Sequence, residues 1–213
     1  MNFLEFLKNN FLHVAPILFS GAIAAVIIYE RFQTLFKTYS LDNTDGFLVQ
    51  IKHLVSMGKT NDALALCLQH HGKPTAEVVK AALERADQPE DLVMNTIEFT
   101  RNQFAEKIQK RTSYLAMIAN VATLLGLLGT IAGLIESFSA VGHADPQQKA
   151  ALLANGISTA MNATMLGLAV AVPCMVIFSV FINKANRLIA EVEAGGMTVH
   201  DSLQYYSVNG GKS

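Results

Sequence analysis

Charge is what this chain has little of. Of 213 residues, 15% are Asp, Glu, Lys or Arg, and the formal net charge is −1. That balance excludes a basic surface for nucleic acid as the organising feature. Tryptophan is absent, so an aromatic belt at a membrane interface would rest on Tyr and Phe. The two cysteines, Cys67 and Cys174, offer no disulfide framework, because one falls in a polar stretch and the other in an apolar run. No convincing β-alternating run occurs. Phosphate-binding glycine loops, nucleophile elbows and paired-carboxylate motifs are missing too, so neither a hydrolytic enzyme nor a resident cofactor or metal is expected.

What the chain does have is apolar length: 51% of its residues are hydrophobic, with three long runs free of formal charge. A bilayer core needs about 20 apolar residues in a helix. The run Phe11–Tyr29 is long enough for a first span, closed by Glu30, Arg31 and Lys37. The alternative, a secretory signal peptide, fits less well. The run exceeds a usual h-region, and the basic N-terminal region is feeble because Glu5 offsets Lys8. A second run lies between Arg111 and Glu136, and a third between Lys149 and Lys184. As one helix, Ala150–Asn183 would measure about 50 Å, so its first turns, Ala150–Ser158, should lie at the interface or outside.

The second and third runs are not uniformly greasy. Thr123, Thr130 and Ser137 recur every seven residues in the second, and Gly126, Gly129 and Gly133 give overlapping small-residue spacings. In the third, Thr159, Asn162 and Thr164 occupy the first half. Ala160, Thr164, Gly167, Ala171 and Cys174 recur at steps of four and three, and Pro173 follows inside the helix. Small columns let helices approach closely, and buried hydroxyls and amides must face protein or water. Two readings stay open: helices lining a polar passage, or tight packing with hydroxyls bonded to carbonyls of their own helix.

From Arg31 to Arg111 the chain is charged and helical in pattern. Asn61 is placed to cap a helix over Asp62–His71, and Pro74 starts another. A break at Gln88–Asp91 precedes Leu92–Arg111, which has Ile97, Phe104 and Ile108 roughly on one face. No Gly or Pro separates it from the second run, so the two are expected to form one continuous helix. Glu136–Lys149 reads as a connector. After Lys184 the helix should end at Gly195–Gly196, leaving VNGGKS as a disordered tail. The Arg31–Arg111 segment holds 11 of the 16 Lys and Arg residues. The positive-inside rule then puts that segment and the C-terminus in the cytoplasm, with the N-terminus outside. The expected fold is an all-α membrane protein with three transmembrane helices, N-out and C-in, extending into a small helical cytoplasmic domain. Its segments are 1–30 (first span), 31–111 (cytoplasmic), 112–138 (second span), 139–156 (periplasmic connector and helix start), 157–183 (third span) and 184–213 (cytoplasmic).

Tyr114–Phe138, with LLGLLGTIAGLIESF, resembles the second span of the MotA/TolQ/ExbB proton-channel family. Ile157–Phe181, with ISTAMNATMLGLAVAVP, resembles its third. As a pair, GLxGTxxG followed by ATxxGLxxAxP is fairly specific. Residues 62–86 are more weakly similar to the family's cytoplasmic region, and three spans without an extra helix look like the TolQ/ExbB branch. The resemblance implies a homopentamer in the bacterial inner membrane. Its second and third helices would line a pore that holds a dimer of a one-span partner of the ExbD/TolR/MotB kind. In such systems the partner's membrane aspartate carries the proton, and ion flow drives a motor. By motif, Thr130 and Thr164 match the family's two pore-facing threonines, and Pro173 matches the proline of the third helix. Thr159 stands where ExbB and TolQ proteins usually carry glutamate, and Asn162 stands at a usually aliphatic position.

The uncharged stretches between Arg111 and Glu136 and between Lys149 and Lys184 contain no Asp, Glu, Lys, Arg or His. A membrane proton path normally needs an ionisable group, so a second protein is expected to bring a carboxylate beside Thr130 and Thr164. Hydroxyl and amide oxygens also suit Na⁺, which leaves a sodium-driven relative as an alternative, and a passive oligomeric scaffold as another. Cys67, His70 and His71 are too few for a metal site. His143 and Asp145 read as solvated loop residues. Glu106, Lys107, Lys110 and Arg111 read as a solvated helix face rather than a basic collar.

Overall fold

The computed structural model describes residues 11–142 and 144–210. Among these, every regular element is helical, and three helices are long and apolar enough to cross a membrane. The expectations for Glu5, Lys8, His143 and the last three residues of the tail concern positions outside the described residues.

The chain divides into two compact units. The first runs to Glu30 and resumes over Arg111–Val180. It is built from α1 (Phe11–Phe32), α6 (Thr112–Gly142) and the first half of α7 (Pro146–Gly210). Val14 and Ile17 of α1 pack with Ala163 and Leu166 of α7, and Leu125 and Val170 close the cluster. Gly21 lets α1 come near: a methyl there would meet Val170 Cγ2 at 3.3 Å.

The second unit holds Arg31–Lys110 and Phe181–Ser213. Past α1 the chain winds as a π-helix over Gln33–Thr38, with the Tyr39 amide donating to the Thr34 carbonyl at 2.9 Å. The wider turn stacks Phe36 on Phe32 at 5.0 Å and sets it 6.4 Å from Phe181. Lys73 Nζ then donates to the carbonyls of Lys37 at 2.9 Å and Ser40 at 2.7 Å, stabilising the helix end with positive charge. Four helices follow: α2 (Thr44–Ser56), α3 (Thr60–Gln69), α4 (Pro74–Leu83) and α5 (Glu90–Gln109). Of these α4 is the most buried, with Val78, Val79 and Ala82 fully enclosed. Pro74 opens it at the first turn, where a missing N–H costs little. Phe181, Ala185, Leu188, Val192 and Val199 of α7 are buried at steps of three, four and seven, as one face of a helix requires.

Several boundaries differ from those expected. The helix over Leu92–Arg111 does not run on into the second span, because α5 stops at Gln109 and Arg111 takes φ +61°. That left-handed residue starts α6 afresh, and its Nη1 donates to Glu30 Oε2 at 2.6 Å. The Glu136–Lys149 connector is shorter than read, since α6 reaches Gly142 and α7 begins at Pro146. Asn61 is not a cap: Lys59 holds that position and no side chain caps α3. Gly195–Gly196 do not end the last helix, which continues to Gly210. They admit neighbours instead. A methyl on Gly195 would lie 2.9 Å from Thr75 Cγ2, and one on Gly196 2.5 Å from Ile97 Cγ2.

Candidate functional site on the paired second and third spans

α6 and α7 lie antiparallel along a seam of small residues. A methyl on Gly126 would meet the Ala163 carbonyl oxygen at 3.2 Å and Gly167 Cα at 3.2 Å. One on Gly129 would meet Ala163 Cβ at 2.7 Å, and one on Gly133 would meet Ala160 N at 3.4 Å. On α7 the seam column is Ala160, Ala163, Gly167, Ala171 and Cys174, all buried. The residue overlooked in the sequence is Ala163; the column reads 160–163–167, and Thr164 is on its edge. The signal was present, because a step of three fits a helix as well as a step of four.

Helical geometry turns the seam into three sides. At about 100° per residue, Thr130 lies about 40° and Thr123 about 60° round α6 from Gly126, in the same sense. Thr164 lies about 60° round α7 from Gly167, also in that sense. In an antiparallel pair these offsets fall on one side of the seam. The opposite sense carries Leu125 on α6 with Leu166 and Val170 on α7, the residues that meet α1. Thr123, Thr130 and Thr164 therefore share the side away from α1. Ser137 belongs to the same seven-residue series, but a straight helix drifts about 20° per heptad. By that point the stripe has turned into the seam, where Ser137 is buried against Gly156.

Thr159 and Asn162 are not brought to that side. From Gly167 they lie about 80° and about 140° round α7 in the sense that leads toward α1 and the back of the helix. Pro173, exposed, falls on the back as well.

The hydroxyls are spent unequally. Thr123 Oγ1 donates to the Ala119 carbonyl at 3.0 Å, Thr130 Oγ1 to Leu127 at 2.6 Å and Thr159 Oγ1 to Asn155 at 3.1 Å. The Thr164 hydroxyl makes no hydrogen bond among the described residues. Both threonines nearest the seam, Thr130 and Thr164, are half-buried. Within the two spans the walls are neutral, for no Asp, Glu, Lys, Arg or His occurs over 112–135 or 150–183. Such a surface can solvate an ion or an acid, but it holds no carboxylate, imidazole, amine or guanidinium.

Elsewhere, Cys67, His70 and His71 are committed to packing and pairing. The Cys67 thiol is pushed up to about 12, chiefly by burial and then by the nearby Glu77 carboxylate. The His70 ring sits 5.3 Å from Phe47, and His71 Nδ1 lies 2.8 Å from Glu77 Oε1. Among the described residues no cluster of three His, Cys, Asp or Glu could hold a metal ion. Of the charged group near Arg111, Lys107 Nζ rests 5.0 Å above the Phe104 ring.

Comparison with known proteins agrees with this architecture. TolQ of the Tol-Pal system from Haemophilus influenzae is 32% identical over 111 residues, which is 51% of this chain and 45% of that protein. A putative ExbB homologue from Methanothermobacter thermautotrophicus is 28% identical over 177 residues, covering 80% of this chain and 62% of its own length. The chain spans between about a quarter and two-thirds of the length of the curated relatives it matches. The structure of C. jejuni MotAB has the same fold, with a TM-score of 0.60 and 19% identity over 91% of this chain and 76% of that one. Residues 70–194 match the model of one family, including the whole seam and its polar side. The chain belongs to the MotA/TolQ/ExbB proton channel family.

Proposed function

We propose that copies of this chain form the pore wall of an inner-membrane complex driven by ion-motive force, with protons as the ion carried. A one-span partner resembling ExbD, TolR or MotB supplies the membrane carboxylate. The single observation that carries this reading is the neutral side bearing Thr123, Thr130 and Thr164, turned away from α1. An intramembrane path for protons needs an ionisable group, and no Asp, Glu, Lys, Arg or His occurs over 112–135 or 150–183. The family resemblance supports a pentamer around a partner dimer. The concentration of Lys and Arg in 31–111 supports a cytoplasmic second unit with the N-terminus outside.

The test is reconstitution in liposomes. The chain alone should be tight to protons, and co-reconstitution with a one-span, Asp-bearing protein encoded beside it should open a leak. Thr164→Val should assemble normally yet lower motive-force-driven output, whereas a passive scaffold would tolerate that change. Replacing Na⁺ by choline separates a sodium-driven system from a proton-driven one. Robust proton conduction by the chain alone would overturn the reading.

A further inference from the structure

Three hydroxyls share the side away from α1, and they differ in one respect. Thr123 and Thr130 have already given their hydrogens to Ala119 and Leu127, at 3.0 and 2.6 Å. A threonine hydroxyl has one hydrogen and two lone pairs, so each of these two can only accept from anything that approaches. Thr164 retains its hydroxyl hydrogen, because that hydroxyl makes no bond among the described residues. Depth matters as well as direction. Gly126 meets Thr164 Cα, and Gly129 meets Ala163, so Thr130 and Thr164 lie within about one helical turn of each other along the seam.

We infer that the two threonines read opposite protonation states of one carboxyl group: Thr164 donates to the carboxylate, and Thr130 accepts from the carboxylic acid. The inference rests on the proposed function, since that acid comes from the partner. A donor to the ionised form stabilises it and lowers the acid's pKa; an acceptor for the neutral form stabilises that form and raises it. Together they hold the acid comfortably in both states, as a group that must gain and lose a proton on each cycle requires. No protein charge competes on this side. Over 112–135 and 150–183, α6 and α7 carry no Asp, Glu, Lys, Arg or His, and α1 has none over 14–29. The titratable groups on those stretches of α6 and α7 are Tyr114, about 120° round from Gly126 on the back of α6, and Cys174 in the seam. Glu136, the nearest acid on α6, lies about 80° round from Gly126 in the sense that leads to α1.

The consequence is a pair of opposite shifts. In inverted membrane vesicles from native-host cells carrying each variant at the chromosomal locus, proton flux is measured against pH and corrected with a deletion strain. Thr164→Val should move the flux midpoint to higher pH, and Thr130→Val should move it to lower pH, each by roughly half a unit to one unit. Thr164→Ser should restore the wild-type midpoint, which a role in packing alone does not require. Thr164→Ala and Thr130→Ala carry the same expected signs should the valine variants fail to assemble. Shifts in the same direction, or unmoved midpoints, would overturn the division of roles while leaving the channel reading intact. Unchanged flux on deleting the chain would remove the channel reading, and this inference with it.

Discussion

Gly167 faces Gly126 across the seam so closely that a methyl on Gly167 would lie 2.9 Å from Gly126 Cα and 2.7 Å from the Ala122 carbonyl oxygen. Both obstacles are backbone and cannot swing aside. Gly133 differs, because its added methyl would meet the backbone of Ala160 at 3.4 Å and its methyl at 3.6 Å, near ordinary contact. Gly167→Ala should therefore destabilise the folded chain by about 1–3 kcal/mol, the usual cost of overpacking, and Gly133→Ala by far less. Unfolding in detergent with increasing dodecyl sulfate measures both. Equal losses would mean that the seam is looser than described.

Arg111 sets two opposing effects against each other. Its φ of +61° costs a non-glycine residue about 1–2 kcal/mol. Its ion pair with Glu30 at 2.6 Å joins side chains 47% and 38% exposed, so the pair contributes about 0.2–1 kcal/mol. Glycine relieves the first and forfeits the second, and the first is larger. Arg111→Gly should leave stability unchanged or slightly raised, while Arg111→Ala keeps the strain and lowers it. Thermal unfolding of the two variants in the same detergent decides the order.

Burial of Cys67 has a signature in alkali. With the folded thiol at about 12 against an ordinary 9.0, the neutral form is favoured in the native state. The unfolded thiol loses its proton first as pH rises, so the unfolded chain binds fewer protons above pH 9.0. The stabilisation is full below that pH and is lost progressively as pH climbs towards about 12. Alkylation followed by peptide mass spectrometry should find Cys67 nearly inert at pH 8 in the native chain and reactive after denaturation. Fast native labelling would contradict its burial.

Lys73 holds the end of the π-helix through two charge-assisted hydrogen bonds, to Lys37 and Ser40. Lys73→Met keeps most of the aliphatic stem and removes both donors. A loss of about 1–3 kcal/mol is expected, with Lys73→Arg recovering part of it. Limited proteolysis near Ser40 should quicken in the methionine variant and remain slow in the arginine one.

Long neutral runs made the three spans legible, because composition alone decides whether a helix can cross a bilayer. The motifs around Gly129 and Gly167 carried the family for a similar reason: close helix contact restricts residue type at fixed spacing. Other features were hidden. The break at Arg111 depends on one backbone angle that any residue can be forced into by its surroundings, and no Gly or Pro advertised it. The place of Thr164 beside the seam rather than in it turned on whether α7 steps by three or four at Ala160, which sequence periodicity leaves open. Gly195 and Gly196 read as a stop because glycine weakens helices in isolation, yet their missing side chains admit Thr75 and Ile97.

That glycine pair leaves its own stretch of α7 dependent on company. Two adjacent glycines forfeit about 2 kcal/mol of intrinsic helix preference relative to alanine, so this turn persists only while α4 and α5 lean on it. Amide protons around Ala194–Met197 should therefore exchange with solvent whenever that small bundle breathes, even if the flanking turns stay protected. The helix here is a reporter of its neighbours: its local order rises and falls with theirs.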